Sequence, residues 1–163
     1  MRIKQLEIEN IPAMWEINEQ GLPGTGQVTK HEMADLLELS ELKLGAYQDG
    51  KLLGFVICLL PNTDYGSLNY AWFNERYGEF IYVDRIAVAT KFRNQSIGSM
   101  LYDKVFEYAQ KNSIPVTAEV SLRPSNVGSD RFHLRHDFTA VGELDHGDKA
   151  VTMYIKHIQP LDD

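Results

Sequence analysis

A short basic turn lies between a predicted strand and a predicted helix near the middle of the 163-residue sequence. Lys91 and Arg93 supply positive charge, Ser96 and Ser99 supply hydroxyls, and Gly98 leaves the backbone open to close approach. A helix that begins here presents unpaired N–H groups and the positive end of its dipole. These features favour a bound phosphate, although a capped helix with incidental basic residues has the same pattern.

A second group of polar residues lies in the segment Asn126–Phe138. Asn126 and His133 are seven residues apart, so they share a face if the segment is helical. A histidine with a pKa of about 6.5 can act as a general acid near neutral pH, but His133 could equally pack and satisfy a carbonyl. Asn126 could likewise be a helix N-cap. His133 and His136 have no third ligand in the pattern, so we expect no metal.

Two carboxylates are candidates for a general base. Asp84 lies on the predicted strand Phe80–Ala89 and is the first candidate, with pairing to Arg85 as the alternative. Glu119, on the predicted strand Pro115–Leu122, is the reserve. Strand alternation places Asp84 on the same face of the sheet as three other side chains of this strand: Tyr82, Ile86 and Val88.

The segment Pro61–Glu79 is predicted to be a long polar loop, and aromatic residues are concentrated in it and just after it. A loop of this kind could form a lid or wall over a pocket that holds a cation or an aromatic amine. Packing of the loop itself and contact within an oligomer are the alternatives. The predicted substrate-binding residues come from here and from the following strand: Tyr70, Trp72, Phe73 and Tyr82.

The elements that position these residues follow from capping, turn and periodicity signals. Asn10 and Thr29 are predicted N-caps of two helices, with Glu32 completing a capping box after Thr29. Asp49 and Gly50 predict a hairpin turn. The predicted order, β-α-α-β-β-β-α-β-α-β-β, indicates an α/β fold with a mixed central sheet flanked by helices.

The stretch IAVATKFRNQSIGSMLYDKVFEYA resembles the acyl-CoA-binding motif of the GNAT (GCN5-related) N-acetyltransferases, whose pattern is Gln/Arg-x-x-Gly-x-Gly/Ala. Arg93, Ser96 and Gly98 match it, with Ser96 in the place of the first glycine. The serine side chain could crowd a pyrophosphate or donate a hydrogen bond to it. Downstream, the segment from Asn126 resembles the family's second motif, with His133 in the place of a tyrosine and Asp137 in the place of a glycine.

The resemblance covers about residues 1–157 and implies a GNAT-type acyl-CoA N-acyltransferase fold that binds acetyl-CoA. It implies that the pyrophosphate contacts the turn before the central helix and that the pantetheine arm runs along the preceding strand. It also implies catalytic roles for His133, as proton donor to the thiolate, and for Asp84. The implied cofactor-binding residues are Ile86, Ala87, Val88, Arg93, Gln95, Ser96, Ile97, Gly98, Ser99 and Asn126.

The expected function is transfer of acetyl from acetyl-CoA to a primary amine, by direct attack in a ternary complex. The acceptor is a small-molecule or peptide amine. The alternative is a non-catalytic acyl-CoA-binding or regulatory module with the same fold. Cys58 lies within the apolar run Leu52–Leu60 and is expected to be a buried, inert thiol, so no covalent intermediate is predicted.

Composition limits the remaining classes of function. A net charge of -7 disfavours a general nucleic-acid binder. The run Leu52–Leu60 is too short for a membrane span, which needs about 20 residues. A single cysteine excludes an internal disulfide and fits a cytoplasmic location. The length predicts one N-acetyltransferase domain over residues 1–163, and a homodimer is compatible with it.

Overall fold

The computed structural model describes residues 1–159; the last four residues of the predicted domain, 160–163, lie outside the described residues. One mixed sheet runs in the order β1-β2-β3-β4-β5-β7-β6, with β4 and β5 parallel and the other pairs antiparallel. The strands are β1 Arg2–Gln5, β2 Leu42–Gln48, β3 Lys51–Leu59, β4 Ile81–Val88, β5 Val116–Arg123, β6 Thr139–Asp145 and β7 Ala150–Lys156. The helices are α1 Ile11–Gln20, α2 Lys30–Leu39, α3 Leu68–Arg76, α4 Ile97–Asn112 and α5 Val127–Arg135.

Helices cover both faces of this sheet, which confirms the predicted fold class. Helices α1, α2 and α3 pack on one face around Met14, Met33 and Phe55. Helix α4 packs on the other face through Leu101 and Val105, and α5 joins it there. Each helix buries one apolar stripe, so both faces of the central strands are covered and β3 is buried along almost its whole length.

Two of the three local signals in the first part of the chain formed as predicted, and the N-cap predicted at Asn10 did not. Glu32 N donates to Thr29 Oγ1 at 3.0 Å and Thr29 N donates to Glu32 Oε1 at 3.0 Å, which completes the capping box of α2. Asp49 and Gly50 have φ angles of 52° and 75°, as a tight hairpin turn between β2 and β3 requires. Asn10 precedes α1, but its side chain accepts hydrogen bonds from Glu7 N and Tyr47 OH instead of capping that helix.

The predicted loop Pro61–Glu79 is wrong in its second half, which contains the helix α3. Ser67 caps this helix by accepting a hydrogen bond from Tyr70 N at 3.2 Å. Tyr70 and Phe73 are three residues apart and lie on one face of α3, buried against the sheet. The aromatic stripe of α3 is short and has polar neighbours, so the helix is stabilised mainly by packing of this stripe on the sheet.

Strand β4 does not alternate regularly, which corrects the predicted face. Ile57 of β3 pairs with Arg85 and Cys58 pairs with Val83, so Asp84 is an extra residue that forms a β-bulge. Before the bulge, Tyr82 joins the core on the α1–α3 face; after it, Ile86 packs on the α4 side. A bulge shifts every following side chain by one position, so Tyr82 does not share a face with Ile86 or Val88.

Candidate active site

A cleft opens in the middle of the sheet because β4 and β5 separate. Within the described chain these strands pair at Ile81–Val116 and Tyr82–Thr117 and no further. Beyond that point they diverge and line a cleft of about 1080 Å³. The edge of β4 that faces the cleft has no neighbouring strand there, so its backbone groups are open to a ligand that pairs like a strand.

One end of the cleft is the first turn of α4. Ser96 precedes the helix with φ of 64°, in the left-handed region, and its side chain caps nothing. The first N–H groups of α4 have no carbonyl partner within the helix and point out of its N-terminus. Gly98 packs closely against α5, since an added Cβ would lie 3.2 Å from Cζ of Phe132 and that ring would have to shift slightly to admit it.

Arg93 is anchored beside this turn. Its Nε donates to Val88 O at 3.3 Å and its Nη2 donates to Gln20 O at 3.3 Å. Both acceptors are neutral carbonyls, so the cationic charge of the guanidinium is not neutralised by these contacts. The structure brings nearly all of the predicted cofactor-binding residues to the cleft, with Gln95 outside its lining: Ile86, Ala87, Val88, Arg93, Ser96, Ile97, Gly98, Ser99 and Asn126.

Asn126 lies on the opposite rim and has the role of a helix cap. Its Oδ1 accepts from Ser129 N at 3.2 Å, at the start of α5. Its amide nitrogen also lies close to the α1–α2 loop, since a Cβ added to Gly24 would be 2.7 Å from Nδ2. The loop Gly21–Gly26 therefore crosses from α1 to the N-terminus of α5 and borders the cleft.

Glu119 on β5 lies in the wall of the cleft. Its Oε1 accepts from Tyr82 OH at 2.7 Å and from Asn69 Nδ2 at 3.2 Å. Its Oε2 is buried and has no hydrogen-bond partner among the described residues. Burial, helped by the negative charge of Asp84, raises the pKa of Glu119 to about 8, against the two hydrogen bonds and Arg85, which lower it. One carboxylate oxygen is thus held and the other is left free to exchange a proton near neutral pH.

Asp84 has different surroundings. Its Oδ2 pairs with Arg85 Nε at 2.8 Å, its Oδ1 accepts from Tyr65 OH at 2.7 Å, and its side chain is 3% exposed. Arg85 in turn donates from Nη1 to Asn18 Oδ1 and to Gly26 O. Both oxygens of Asp84 are therefore committed to a buried network that ties β4 to α1 and the α1–α2 loop.

His133 is buried on α5 and both ring nitrogens have partners. Nδ1 lies 2.8 Å from Ser129 O, and because a carbonyl can only accept, Nδ1 carries the proton. Nε2 then accepts from Tyr102 OH at 2.6 Å. Burial lowers the pKa of His133 and raises that of Tyr102 well above its usual value. The pair is neutral near pH 7, and the hydroxyl of Tyr102 holds the proton between the two rings.

The four predicted substrate-binding residues do not line the cleft. Tyr70, Phe73 and Tyr82 are buried in the core, where the rings of Tyr70 and Tyr82 are 5.2 Å apart between centroids. Trp72 packs α3 against β6, and a Cβ added to Gly142 would lie 2.6 Å from Trp72 Cζ2. The aromatic residues thus act in packing, which is the alternative to a lid, because their helical spacing turns them toward the sheet.

Among the further residues that line the cleft are three polar ones that the sequence did not single out as site candidates: Asn69, Tyr102 and His146. They come from three separate parts of the chain, so no local spacing relates them. Tyr102 has one weak signal in the sequence. It lies four residues after Gly98 on the predicted helix, close to the face that bears the motif.

The described residues show neither a cluster that could hold a metal ion nor a helix that could span a membrane. Residues 1–159 contain no cluster of three or more histidine, cysteine, aspartate or glutamate side chains arranged to hold a metal ion. Over the same residues, no helix has the length and apolar character to cross a membrane.

Comparison with known proteins agrees with this geometry. Residues 10–138 match the model of the acetyltransferase (GNAT) family. The chain belongs to the GNAT family. It is 23% identical over 128 residues to "Probable N-acetyltransferase san" of Drosophila melanogaster, a match that covers 78% of this chain and 59% of that protein. The chain therefore spans less than two thirds of the length of this curated relative.

Solved GNAT structures have the same fold. The ribosomal-protein-S18-alanine N-acetyltransferase of Escherichia coli superimposes with a TM-score of 0.74 at 16% identity, over 99% of this chain and 96% of that one. NAA60 of Arabidopsis thaliana, in complex with a bisubstrate analogue, gives 0.76 at 15% identity, over 98% and 99%. At these identities the likeness concerns the fold, while family membership supports N-acetyltransferase activity in general.

Proposed function

We propose that this protein transfers an acetyl group from acetyl-CoA to a primary amine by direct attack in a ternary complex. The observation that carries the proposal is Glu119, a carboxylate with one free buried oxygen in the same cleft that the α4 N-terminus borders. An anion site and a base with a pKa of about 8 in one cleft are the parts that this reaction needs. Glu119 is preferred to Asp84 because the Asp84 oxygens are both occupied.

The chemistry assigned to Glu119 is proton transfer. The amine nitrogen attacks the thioester carbon, an amide C–N bond forms, and the C–S bond breaks to release the CoA thiolate. The nitrogen loses one proton, which Glu119 Oε2 accepts directly or through a water molecule. Oε1 stays bound to Tyr82 and Asn69, so the carboxylate keeps its orientation. A base works best when its pKa is near the working pH, and burial supplies that match here.

The residues of α4 and β4 fit acetyl-CoA, which supplies the activated acetyl group. N–H groups at Ser96–Ser99 and the uncompensated charge of Arg93 would hold the pyrophosphate. The open edge of β4 at Ile86–Val88 would pair with the pantetheine amides, and an N–H there would stabilise the developing oxyanion. NAA60 of Arabidopsis thaliana, whose solved structure has this fold, binds a bisubstrate analogue.

The leaving thiolate needs a proton, and the His133–Tyr102 pair is the candidate source. A neutral imidazole whose two nitrogens are both hydrogen-bonded cannot give up its proton without breaking one of these hydrogen bonds. We assign to Tyr102, which lines the cleft, the transfer of its hydroxyl proton to the thiolate, and to His133 the positioning of that hydroxyl. The proton that Glu119 takes from the amine returns to Tyr102 through solvent, which balances the step. The buried thiol of Cys58, whose pKa burial raises far above its ordinary value, supports direct transfer without a covalent enzyme intermediate.

The acceptor is proposed to be a small-molecule or peptide amine. One structural neighbour is, by its printed name, an enzyme that acetylates the alanine of a ribosomal protein, which makes peptide α-amines the first acceptors to test. A cytoplasmic location is proposed with this function, since Cys58 is a free thiol.

The test has two stages. In a thermal-shift assay, CoA is expected to stabilise the protein, by about 2.7 kcal/mol when its concentration is 100 times the dissociation constant. Thiol release from acetyl-CoA is then measured with a panel of peptides and small amines. Release that depends on the amine supports the proposed function. Stabilisation by CoA without release from any amine favours the alternative, a non-catalytic acyl-CoA-binding module, and no stabilisation at millimolar CoA contradicts both.

A further inference from the structure

A chain of hydrogen bonds leads from the protein surface to the free base of the cleft. His146, exposed in the β6–β7 turn, lies with Nε2 2.9 Å from Oδ1 of Asn69 on α3. Asn69 Nδ2 is 3.2 Å from Oε1 of Glu119 on β5. Three elements that are distant in sequence therefore meet in the wall of the cleft beside Glu119.

The direction of each bond in this chain follows from its ends. The ionised carboxylate of Glu119 can only accept, so the Asn69 amide must turn its nitrogen toward it. That choice turns Asn69 Oδ1 toward the imidazole, where it needs a donor. His146 Nε2 must then carry the proton. A rotated amide would face oxygen against oxygen at Glu119, so His146 selects the orientation of Asn69 that serves the carboxylate.

The turn that carries His146 is held rigidly. Arg123 Nη2, on the same strand as Glu119, donates to Asp145 Oδ1 at 2.9 Å and to Gly147 O at 2.8 Å. Gly147 N also donates to Asp145 Oδ1 at 2.8 Å, and His146 N donates to Lys149 O at 2.7 Å. On the other side, Trp72 packed against Gly142 holds α3 next to β6. These contacts hold the backbone of the turn that carries His146 independently of Asn69.

We propose that Asn69 and His146 are positioning residues for the base of the acetyl transfer, forming a two-residue bridge that orients the Glu119 carboxylate. This inference rests on the proposed function, in which Glu119 is the base. The bridge supplies one of the two donors to Oε1, so it stabilises the ionised form and leaves Oε2 as the oxygen that exchanges the proton. Removing it is expected to raise the pKa of Glu119 further.

Other titratable or charged groups around Glu119 remain in every variant. They come from β4, the segment before α3 and helix α4, and their contributions are common to the proteins compared: Tyr82, Asp84, Arg85, Tyr65 and Tyr102.

The test is a pH titration of the Glu119 carboxyl by carbon-13 NMR, with its signal assigned from its absence in Glu119→Gln. Asn69→Ala is expected to raise the pKa of Glu119 by about one unit, the usual effect of one hydrogen bond to a charged group. His146→Ala is expected to raise it less, and His146→Gln, whose Nε2 also donates, should restore it. Asn74→Ala is the matched control, because Asn74 on the same helix accepts from Asn62 N, away from the cleft.

Enzyme kinetics with one acceptor amine complete the test. The acidic limb of the pH profile of kcat/KM is expected to move with the pKa of Glu119 in each variant. The titration of the amine is the same for all of them, so it does not contribute to the differences. Unchanged pKa values in both Asn69→Ala and His146→Ala overturn the bridge, and so does a shift equally large in Asn74→Ala. If instead the acidic limb of Glu119→Gln keeps the slope and position of the wild-type limb, so that no titration beyond that of the amine is lost, while the NMR shifts occur, the bridge exists and the assignment of Glu119 as base is wrong.

Discussion

Replacing Glu119 by glutamine should make the protein less sensitive to alkaline pH. The folded-state pKa of Glu119 is raised to about 8 by burial, while an unfolded glutamate has a pKa of about 4.3. Between these values the folded protein binds one proton that the unfolded chain does not. The stabilisation from that proton is fully present below the unfolded pKa and is lost as pH rises through about 8.

The size of the effect follows from that interval. Each pH unit within it costs about 1.4 kcal/mol of unfolding free energy. From pH 6 to pH 8, with Glu119 half ionised at the upper limit, the wild-type protein should lose about 2 kcal/mol through this group. Glutamine keeps an oxygen for Tyr82 and Asn69 and does not titrate. The difference in unfolding free energy between the two proteins should therefore grow by about 2 kcal/mol from pH 6 to pH 8, in favour of Glu119→Gln.

Urea unfolding at pH 6, 7, 8 and 9 measures this difference. Burial also lowers the pKa of His133 and of His136, but those groups are present in both proteins and their contributions cancel. Glu143→Gln, on the exposed edge strand β6, is the matched control and should follow the wild type at every pH. If the curves of wild type and Glu119→Gln remain parallel within about 0.5 kcal/mol, Glu119 ionises in its ordinary range and the physical basis for calling it the base is lost.

Two further predictions concern the CoA side of the cleft. Ser96→Gly should raise the unfolding free energy by about 0.5 to 1 kcal/mol, because glycine removes the cost of a left-handed serine. Calorimetric titration of the same variant with CoA tests the role of the hydroxyl, since weaker binding would identify the Ser96 hydroxyl as a phosphate ligand. His133→Phe should lower turnover by about an order of magnitude and destabilise the fold by about 1 to 3 kcal/mol, because the buried Tyr102 hydroxyl loses its acceptor. Normal turnover in a destabilised His133→Phe protein would show that the pair is purely structural.

Much of the fold was predictable because its signals are local. The Thr29–Glu32 capping box and the Asp49-Gly50 turn each involve residues within four positions of one another, and both formed as expected. The turn that precedes α4 is equally local. Its charges, its small residues and the helix that follows are contiguous, so this end of the cleft could be located from the sequence.

Helix α3 and the bulge at Asp84 could not be predicted in the same way. The aromatic positions of α3 have helical spacing, but they occur among polar and glycine residues, and the helix gains its stability by burying Tyr70 and Phe73 against a sheet formed by other segments. The bulge depends on how β4 pairs with β3. Because one extra residue reverses every later side chain, alternation alone placed Tyr82 and Ile86 together when they lie on opposite faces.

The sequence by itself determined the family, the order of most elements and the position of the turn before α4, since each depends on residues that are neighbours along the chain. Only the tertiary structure decided which carboxylate is free to act. Asp84 and Glu119 are equivalent as residue types, but packing pairs Asp84 with Arg85 and Tyr65 and leaves Glu119 Oε2 without a partner. That difference arises from contacts between distant segments, and burial there raises the pKa of the Glu119 carboxyl to about 8.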